Sequence, residues 1–348
     1  NGTDLPTPAI PGSSLRGMLR SLVEVLSYAR MRWVANTPTF TYRAVAASQN
    51  DPLRAPYNQV LGQLGKNVRA GYLSRRKDDD GQDHWFVTPA ILPKSLGMAE
   101  EGGFLKIRET VIPSGEFAGL VRFDNIERYQ PAYYPASFNV ETKKSTKGMY
   151  SAITAIGKPE KKYAHAGVLV TSGNMLETGN DKRKSPRKKH ALILQQNPNA
   201  KSLIIDAQAV RDYYAGQTPY TANLPGWGGK NGVLKEGAPV FYIDPGAGRE
   251  IVYFGHDPNF RIPARYTGLN RASTPLDFIP QPLRDISRPD LVDTIFGWVS
   301  DEFSPAGEFA GHVSFCDAHC QPGQDNIWES AQPIIPHVLG GPKATRAG

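Results

Sequence analysis

Ile10-Pro11-Gly12-Ser13-Ser14-Leu15-Arg16-Gly17-Met18-Leu19-Arg20-Ser21-Leu22-Val23-Glu24-Val25-Leu26 is the stretch from which the fold is read. A Pro-Gly-Ser-Ser turn leads directly into a run where Leu15, Leu19, Leu22, Val23 and Leu26 recur at the spacing of one helical face. The pattern predicts a serine-capped helix to about Arg32, with the leucine stripe facing a core and Arg16 and Arg20 sharing another face. The same turn offers backbone N–H groups that a first helical turn leaves unpaired, which suits them to a phosphate.

Outward from this helix the chain becomes loop-rich. Short strands are expected at residues 40–45, 71–75 and 84–87, with a solvated turn at residues 77–83, and further strands at 104–111 and 117–123. Residues 141–163 are lysine-rich with little apolar periodicity, and are expected to form a flexible lobe or a loop ordered by a partner. Strands at residues 167–170 and 191–194 flank Lys182-Arg183-Lys184-Ser185-Pro186-Arg187-Lys188-Lys189, where six of eight residues are basic. A short helix is expected at 207–214, a hairpin from 239–243 and 250–254, an amphipathic helix at 291–299 opened by Pro289 and Asp290, and a strand at 312–315. Gly115-Glu116-Phe117-Ala118-Gly119-Leu120-Val121-Arg122-Phe123 is echoed at Gly307-Glu308-Phe309-Ala310-Gly311-His312-Val313-Ser314-Phe315, which reads as two similar strands entered through glycine or as the trace of a duplication.

Composition narrows the class. At 348 residues the chain fits one elaborated domain or two ordinary ones. The 34 Gly and 29 Pro argue for many turns rather than a helical bundle, and 10% aromatic content argues against wholesale disorder. Forty basic against 33 acidic residues give a net charge of +7, which favours polyanionic partners. Two cysteines exclude a disulfide scaffold and suit a reducing compartment, and no apolar run is long enough to span a bilayer. A cytoplasmic protein with no membrane partner is the expectation. The chain opens on Asn1 rather than Met and is expected to be a trimmed segment.

Ile10 to Gly17, continuing into Leu19-Arg20-Ser21-Leu22-Val23-Glu24, resembles the glycine-serine signature and first helix of the repeat-associated mysterious proteins, the RNA-binding subunits of CRISPR systems. Further similarities follow in the family's order: Gly167-Val168-Leu169-Val170 with Gly173, Asp293 to Gly297 ending in Phe-Gly, Gly311-His312-Val313-Ser314-Phe315 with Asp317-Ala318, and Gly341-Pro342-Lys343. The resemblance implies an α+β fold with a ferredoxin-like (RNA-recognition-type) core and large insertions. Residues 1–140 would form its N-terminal part, with the first strand missing, 141–237 a basic inserted lobe, and 238–348 its C-terminal part.

The function implied is a guide-RNA-binding scaffold in a type III-like ribonucleoprotein of antiviral defence. Its partners would be CRISPR guide RNA, complementary target RNA and other effector subunits. Such subunits grip the guide backbone and project a thumb that kinks the guide–target duplex. Some also cut the target RNA with a loop aspartate and a divalent metal. That aspartate belongs upstream of the glycine-serine signature, where this chain has only Asp4, close to the motif. Binding without cleavage is therefore expected, with no cofactor; Mg²⁺ or Mn²⁺ enters only in the alternative of a metal-dependent endoribonuclease.

The candidate RNA-binding residues are Ser13, Ser14, Arg16 and Arg20, the run Lys182, Arg183, Lys184, Arg187, Lys188 and Lys189, and Trp227 and Lys230. Flexible basic side chains release condensed counterions on a phosphate backbone without reading sequence, and Tyr163 and His165 could stack on bases. Gly226-Trp227-Gly228-Gly229-Lys230-Asn231-Gly232 lacks the Gly-Lys-Ser/Thr ending of a P-loop and reads as a glycine loop that could touch RNA. Cys316, His319 and Cys320, with His312 upstream, lack a second cysteine pair and read as free thiols rather than a zinc site. His190 is the remaining candidate for a general base in RNA cleavage.

Overall fold

The computed structural model describes residues 8–31, 34, 36, 39–45, 47–77, 81–99, 102–117, 132–146, 148–171, 189–217, 234–266, 268–284, 289–299, 307–321 and 323. In chain order the elements begin with β1 (Ala9–Ile10), α1 (Gly12–Leu26), β2 (Thr41–Tyr42), α2 (Arg54–Leu61), β3 (Val68–Lys77), β4 (Asp83–Pro89) and β5 (Leu105–Arg108). They continue with β6 (Tyr133–Ser145), β7 (Gly148–Gly157), β8 (His165–Val170), β9 (Lys189–Leu194), β10 (Leu203–Ile204), α3 (Ala207–Ala215) and β11 (Pro239–Ile243). The last are β12 (Phe254–Gly255), β13 (Ile262–Pro263), α4 (Leu291–Phe296), β14 (Gly297–Trp298), β15 (Phe309–Ala310) and β16 (Ala318–His319). The fold is α+β with antiparallel sheets.

The chain divides into two compact units. The first joins Asn1–Trp33 to Ile279–Gly348, and the second is Val34–Phe278. The second holds two five-stranded antiparallel sheets, ordered β10-β4-β3-β11-β12 and β5-β9-β8-β6-β7. Sheet faces explain its sequence. On β9, Ala191 and Ile193 join a core shared with Val68 and Ala70 of β3 and Phe241 of β11, so the two sheets pack face to face. Leu192 and Leu194, pointing the opposite way, join Leu105, Ile107, Phe138 and Leu169 on the far side. An uninterrupted apolar run is the pattern of a strand buried on both faces. The outer face of the other sheet, with Leu73, Val87 and Val240, packs under Ala209 of α3.

Several elements depart from the sequence expectation. The lysine-rich stretch after residue 141 is ordered: β6 and β7 pair from Ser137↔Gly157 to Ser145↔Gly148, and Gly148 takes φ +115 at the turn. Alternation there is masked because the outer end of this hairpin is solvated on both faces, so burial leaves no apolar signature. The boundary expected at residue 141 falls within β6, and β8 and β9 belong to the same sheet as β5. Residues 312–315 do not form a strand; β15 and β16 lie on either side. Helix α4 ends at Phe296, where Gly297 adopts φ +98. The expected strand at 117–123 falls outside the described residues beyond Phe117, which is itself in a bend.

Helix α1 stops at Leu26 rather than near Arg32. The amide and hydroxyl of Ser27 both donate to the Val23 carbonyl, at 2.9 and 2.7 Å, and Tyr28 turns left-handed at φ +51. The leucine stripe is also not the core face expected: Leu15 and Val23 are half-buried, but Leu19, Leu22 and Leu26 are exposed, Leu26 at 79%. Among the described residues no helix is long and apolar enough to cross a membrane.

Candidate nucleic-acid interface

The glycine-serine turn of the first unit is held by a strand pairing and one carboxylate. Ala9 and Ile10 pair with His319 and Ala318, and the Cys320 amide donates to the Pro8 carbonyl at 3.0 Å. Pro11 is the N-cap of α1, with no side-chain cap bond, so Ser13 and Ser14 lie inside the first turn instead of capping it. The Gly12 amide donates to Asp317 Oδ1 at 2.7 Å, and those of Ser14 and Leu15 donate to the Pro11 carbonyl. The anion at this helix start is therefore the chain's own Asp317, which satisfies an amide the helix cannot. A phosphate on the same amide would have to displace it.

Backbone crowding explains the glycines. A Cβ on Gly12 would sit 2.3 Å from the Phe315 carbonyl oxygen, and one on Gly311 would sit 2.4 Å from the Phe296 carbonyl carbon. A Cβ on Gly297 would sit 2.6 Å from the Gly311 amide. The three segments around residues 10–17, 293–297 and 311–318 thus meet at close backbone range. The Phe296 and Phe315 rings stack beside them at 6.2 Å.

Both candidate arginines of α1 have partners within this unit. Arg16 donates to the Phe296 carbonyl, at the C-terminal end of α4. Arg20 pairs with Glu24 at 2.9 Å and lies 3.9 Å from the Asp293 carboxylate. Asp293 completes a capping box with Asp290, and the Arg30 amide donates to Asp290 at 3.0 Å. Arg16 and Arg20 therefore fasten α1 to α4, and only their remaining N–H donors could meet RNA. Ser13 and Ser14 are exposed.

No family model matches the chain, and no curated protein does.

In the second unit, the pairing of β8 with β6 extends only from Tyr133 to Phe138, so the outer end of β6 has β7 as its hydrogen-bonded neighbour and forms a two-stranded arm. Lys143, Lys144, Met149 and Tyr150 are exposed on it, with Lys143 3.5 Å from Glu141. Sequence reasoning missed this arm, although Gly148, placed after its lysines, was a signal. Lys189 lies in β9 opposite Arg108, while Lys182 to Lys188, Trp227, Lys230 and Asp4 lie outside the described residues. Tyr163 and His165 are half-buried, and the His165 ring packs on Phe138 at 5.6 Å.

His190 is 2% exposed and its Nε2 lies 3.1 Å from the buried Glu109 carboxylate. A group so enclosed cannot reach a substrate proton, so the general-base reading is withdrawn. Asp317 is committed to Gly12, His319 is in β16, Cys316 is exposed and Cys320 is half-buried. Among the described residues no three His, Cys, Asp or Glu side chains are grouped to hold a metal ion.

Proposed function

We propose that this chain is a guide-RNA-binding scaffold subunit of a CRISPR type III-like ribonucleoprotein in antiviral defence, acting in the cytoplasm beside other effector subunits. The observation that carries the reading is the junction in the first unit: three of the five segments that prompted the resemblance, around residues 10–17, 293–297 and 311–318, meet at the Gly12, Gly297 and Gly311 backbones. In this reading α1 and the strands beside it belong to a ferredoxin-like core.

The exposed arm of β6 and β7 suits the thumb that such subunits project. It carries two lysines for phosphates and Tyr150 for stacking on a base. The basic run 182–189 adds a second phosphate clamp. Because both act on backbone charge, binding by this chain is insensitive to sequence, as a scaffold that must accept any guide requires.

Photo-crosslinking of the full chain to a single-stranded RNA of mixed sequence, followed by peptide mapping, tests the reading. Crosslinked peptides containing Tyr150 and residues 182–189 are expected. RNA that crosslinks nowhere, at low salt and with the chain in excess, would overturn it.

A further inference from the structure

A cavity of about 170 Å³ in the second unit lies apart from the candidate interface residues described above. It is formed where the end of α3 (Asp212, Tyr213, Gly216, Gln217) meets β2 (Thr41 with Arg43 after it) and the segment from Val252 to Pro263. A cavity of ~150 Å³ accommodates a benzene ring, so this one has room for one flat ring, with the rest of a ligand outside its mouth. Its aromatic side chains are Tyr213, Tyr253, Phe254 and Phe260, with Tyr213 packed on Phe254 at 5.1 Å.

Charge is arranged unevenly around this apolar wall. Asp212 is committed to the fold: it accepts from the Ala272 amide at 2.9 Å and from Gln208 at 2.8 Å, and Arg265 lies 3.7 Å away. Asp257 accepts from the Asn259 amide at 2.6 Å through Oδ1, while its Oδ2 lies 3.5 Å from His256 and 3.9 Å from Arg43. Arg43 and Arg261 are exposed at the cavity, and Arg265 lies over the Tyr253 ring at 5.8 Å. The lining itself carries two arginines and two aspartates, and Arg265 beside it pairs with Asp212, which leaves Arg261 as the exposed cation a phosphate could meet. Desolvation, with Arg43 adding to it and Asp257 opposing, holds the His256 imidazole below its ordinary value and so neutral at physiological pH. A neutral imidazole can serve as a donor or an acceptor at a ligand edge.

We infer that this cavity binds a single nucleotide. The base enters between the aromatic side chains, its polar edge meets Asp257 and His256, and its phosphate meets Arg261. Flat apolar walls, one anchored acceptor and arginines at the mouth are the three complements a nucleotide needs. The nucleotide comes either from an unstacked position of a bound RNA strand or from the free pool, since the contacts are the same. The inference stands whether or not the guide-RNA reading does, because every residue it uses lies in the second unit.

Calorimetric titration of the full chain with adenosine, guanosine, cytidine and uridine 5′-monophosphates tests it, with inorganic phosphate alongside. At least one nucleotide should bind saturably, with phosphate at least roughly tenfold weaker. Arg261→Ala and Tyr253→Leu should each weaken binding about tenfold, with Arg261→Lys in between. Because Arg261 is exposed, its substitutions leave the fold intact and keep the test valid if Tyr253→Leu does not fold. The source is decided by competition: the fluorescence of a single-stranded RNA carrying one 2-aminopurine should change on binding, and reversal of that change on adding the nucleotide assigns the cavity to the strand. RNA binding without such competition, or no RNA binding at all, assigns it to the free nucleotide. Saturable binding by none of the four nucleotides, or binding unchanged in both Arg261→Ala and Tyr253→Leu, overturns the inference.

Discussion

The two units are held together by different means. In the second, stability comes from side chains: three apolar clusters use opposite faces of strands, and residues such as Phe138, Leu192 and Ile193 have no accessible surface. Among the described residues of the first, the enclosed apolar side chains are few, Val292, Phe296 and Trp298 among them, beside close backbone approaches at Gly12, Gly297 and Gly311 of the kind that Gly103 and Gly167 make in the second, while Met18, Leu22, Val25 and Leu26 of α1 remain exposed. A side-chain core tolerates any sequence that keeps the volume and alternation, whereas a backbone junction specifies the absence of a Cβ at fixed places. That is why the glycine junction of the first unit is readable as a motif and the apolar clusters of the second as a pattern.

The contrast predicts a graded set of substitution effects, measurable by urea denaturation. Phe138→Ala should cost the most, about 3–5 kcal/mol, because it empties a site enclosed on all sides. Gly12→Ala should cost about 1–3 kcal/mol although it removes nothing, because the new Cβ meets a carbonyl oxygen that cannot rotate away. If Gly12→Ala were neutral, the junction would be looser than the distances say and the contrast would fail. Leu26→Ala on the same helix should stay within about 0.5 kcal/mol.

An ion pair sharpens the comparison through pH. Asp277 accepts from Arg271 at 2.7 and 2.8 Å and from the Thr274 amide at 2.7 Å. The Arg271 hydrogen bonds, chiefly, hold its carboxyl well below the usual carboxylate range, against a smaller opposing desolvation. A depressed folded value means that the stabilisation is present above the unfolded carboxylate value and is lost as pH falls through the folded one. Asp277→Asn should therefore cost about 1–2 kcal/mol at neutral pH, with the gap to the parent closing as the solution is acidified below the carboxylate range. A gap that stayed constant with pH would show that the pair's charge contributes nothing.

These differences also set what could be read in advance. The apolar run at residues 191–194 and the Val-Phe-Tyr-Ile of β11 were legible as strands because burial on both faces leaves an unbroken signature. The β6–β7 hairpin was not, because its exposed end carries lysines where a strand face would carry apolar residues. The α1 periodicity located a helix, and its leucines were wrongly assigned to a core: periodicity gives the face and not what covers it. Arg16 and Arg20 were correctly placed together on one face of the helix, but their partners, Phe296 and Asp293, stand some 270 residues away and no local spacing announces them. The nucleotide cavity draws residues from 41 to 263 with no motif among them. Only adjacent His256 and Asp257, followed closely by Arg261 and Arg265, hinted at a polar cluster.

The most direct test of the scaffold reading is the salt dependence of single-stranded RNA binding by the full chain. The parent is compared with one variant lacking Lys143 and Lys144 and another lacking Lys182, Arg183, Lys184, Arg187, Lys188 and Lys189, all changed to Ala. The account predicts saturable binding by the parent and weaker binding by both variants for every RNA sequence alike. The slope of log K against log salt should flatten by roughly 0.7 for each phosphate that a variant no longer neutralises. Affinity and slope unchanged in both variants, or no saturable RNA binding by the parent at low salt, would contradict it.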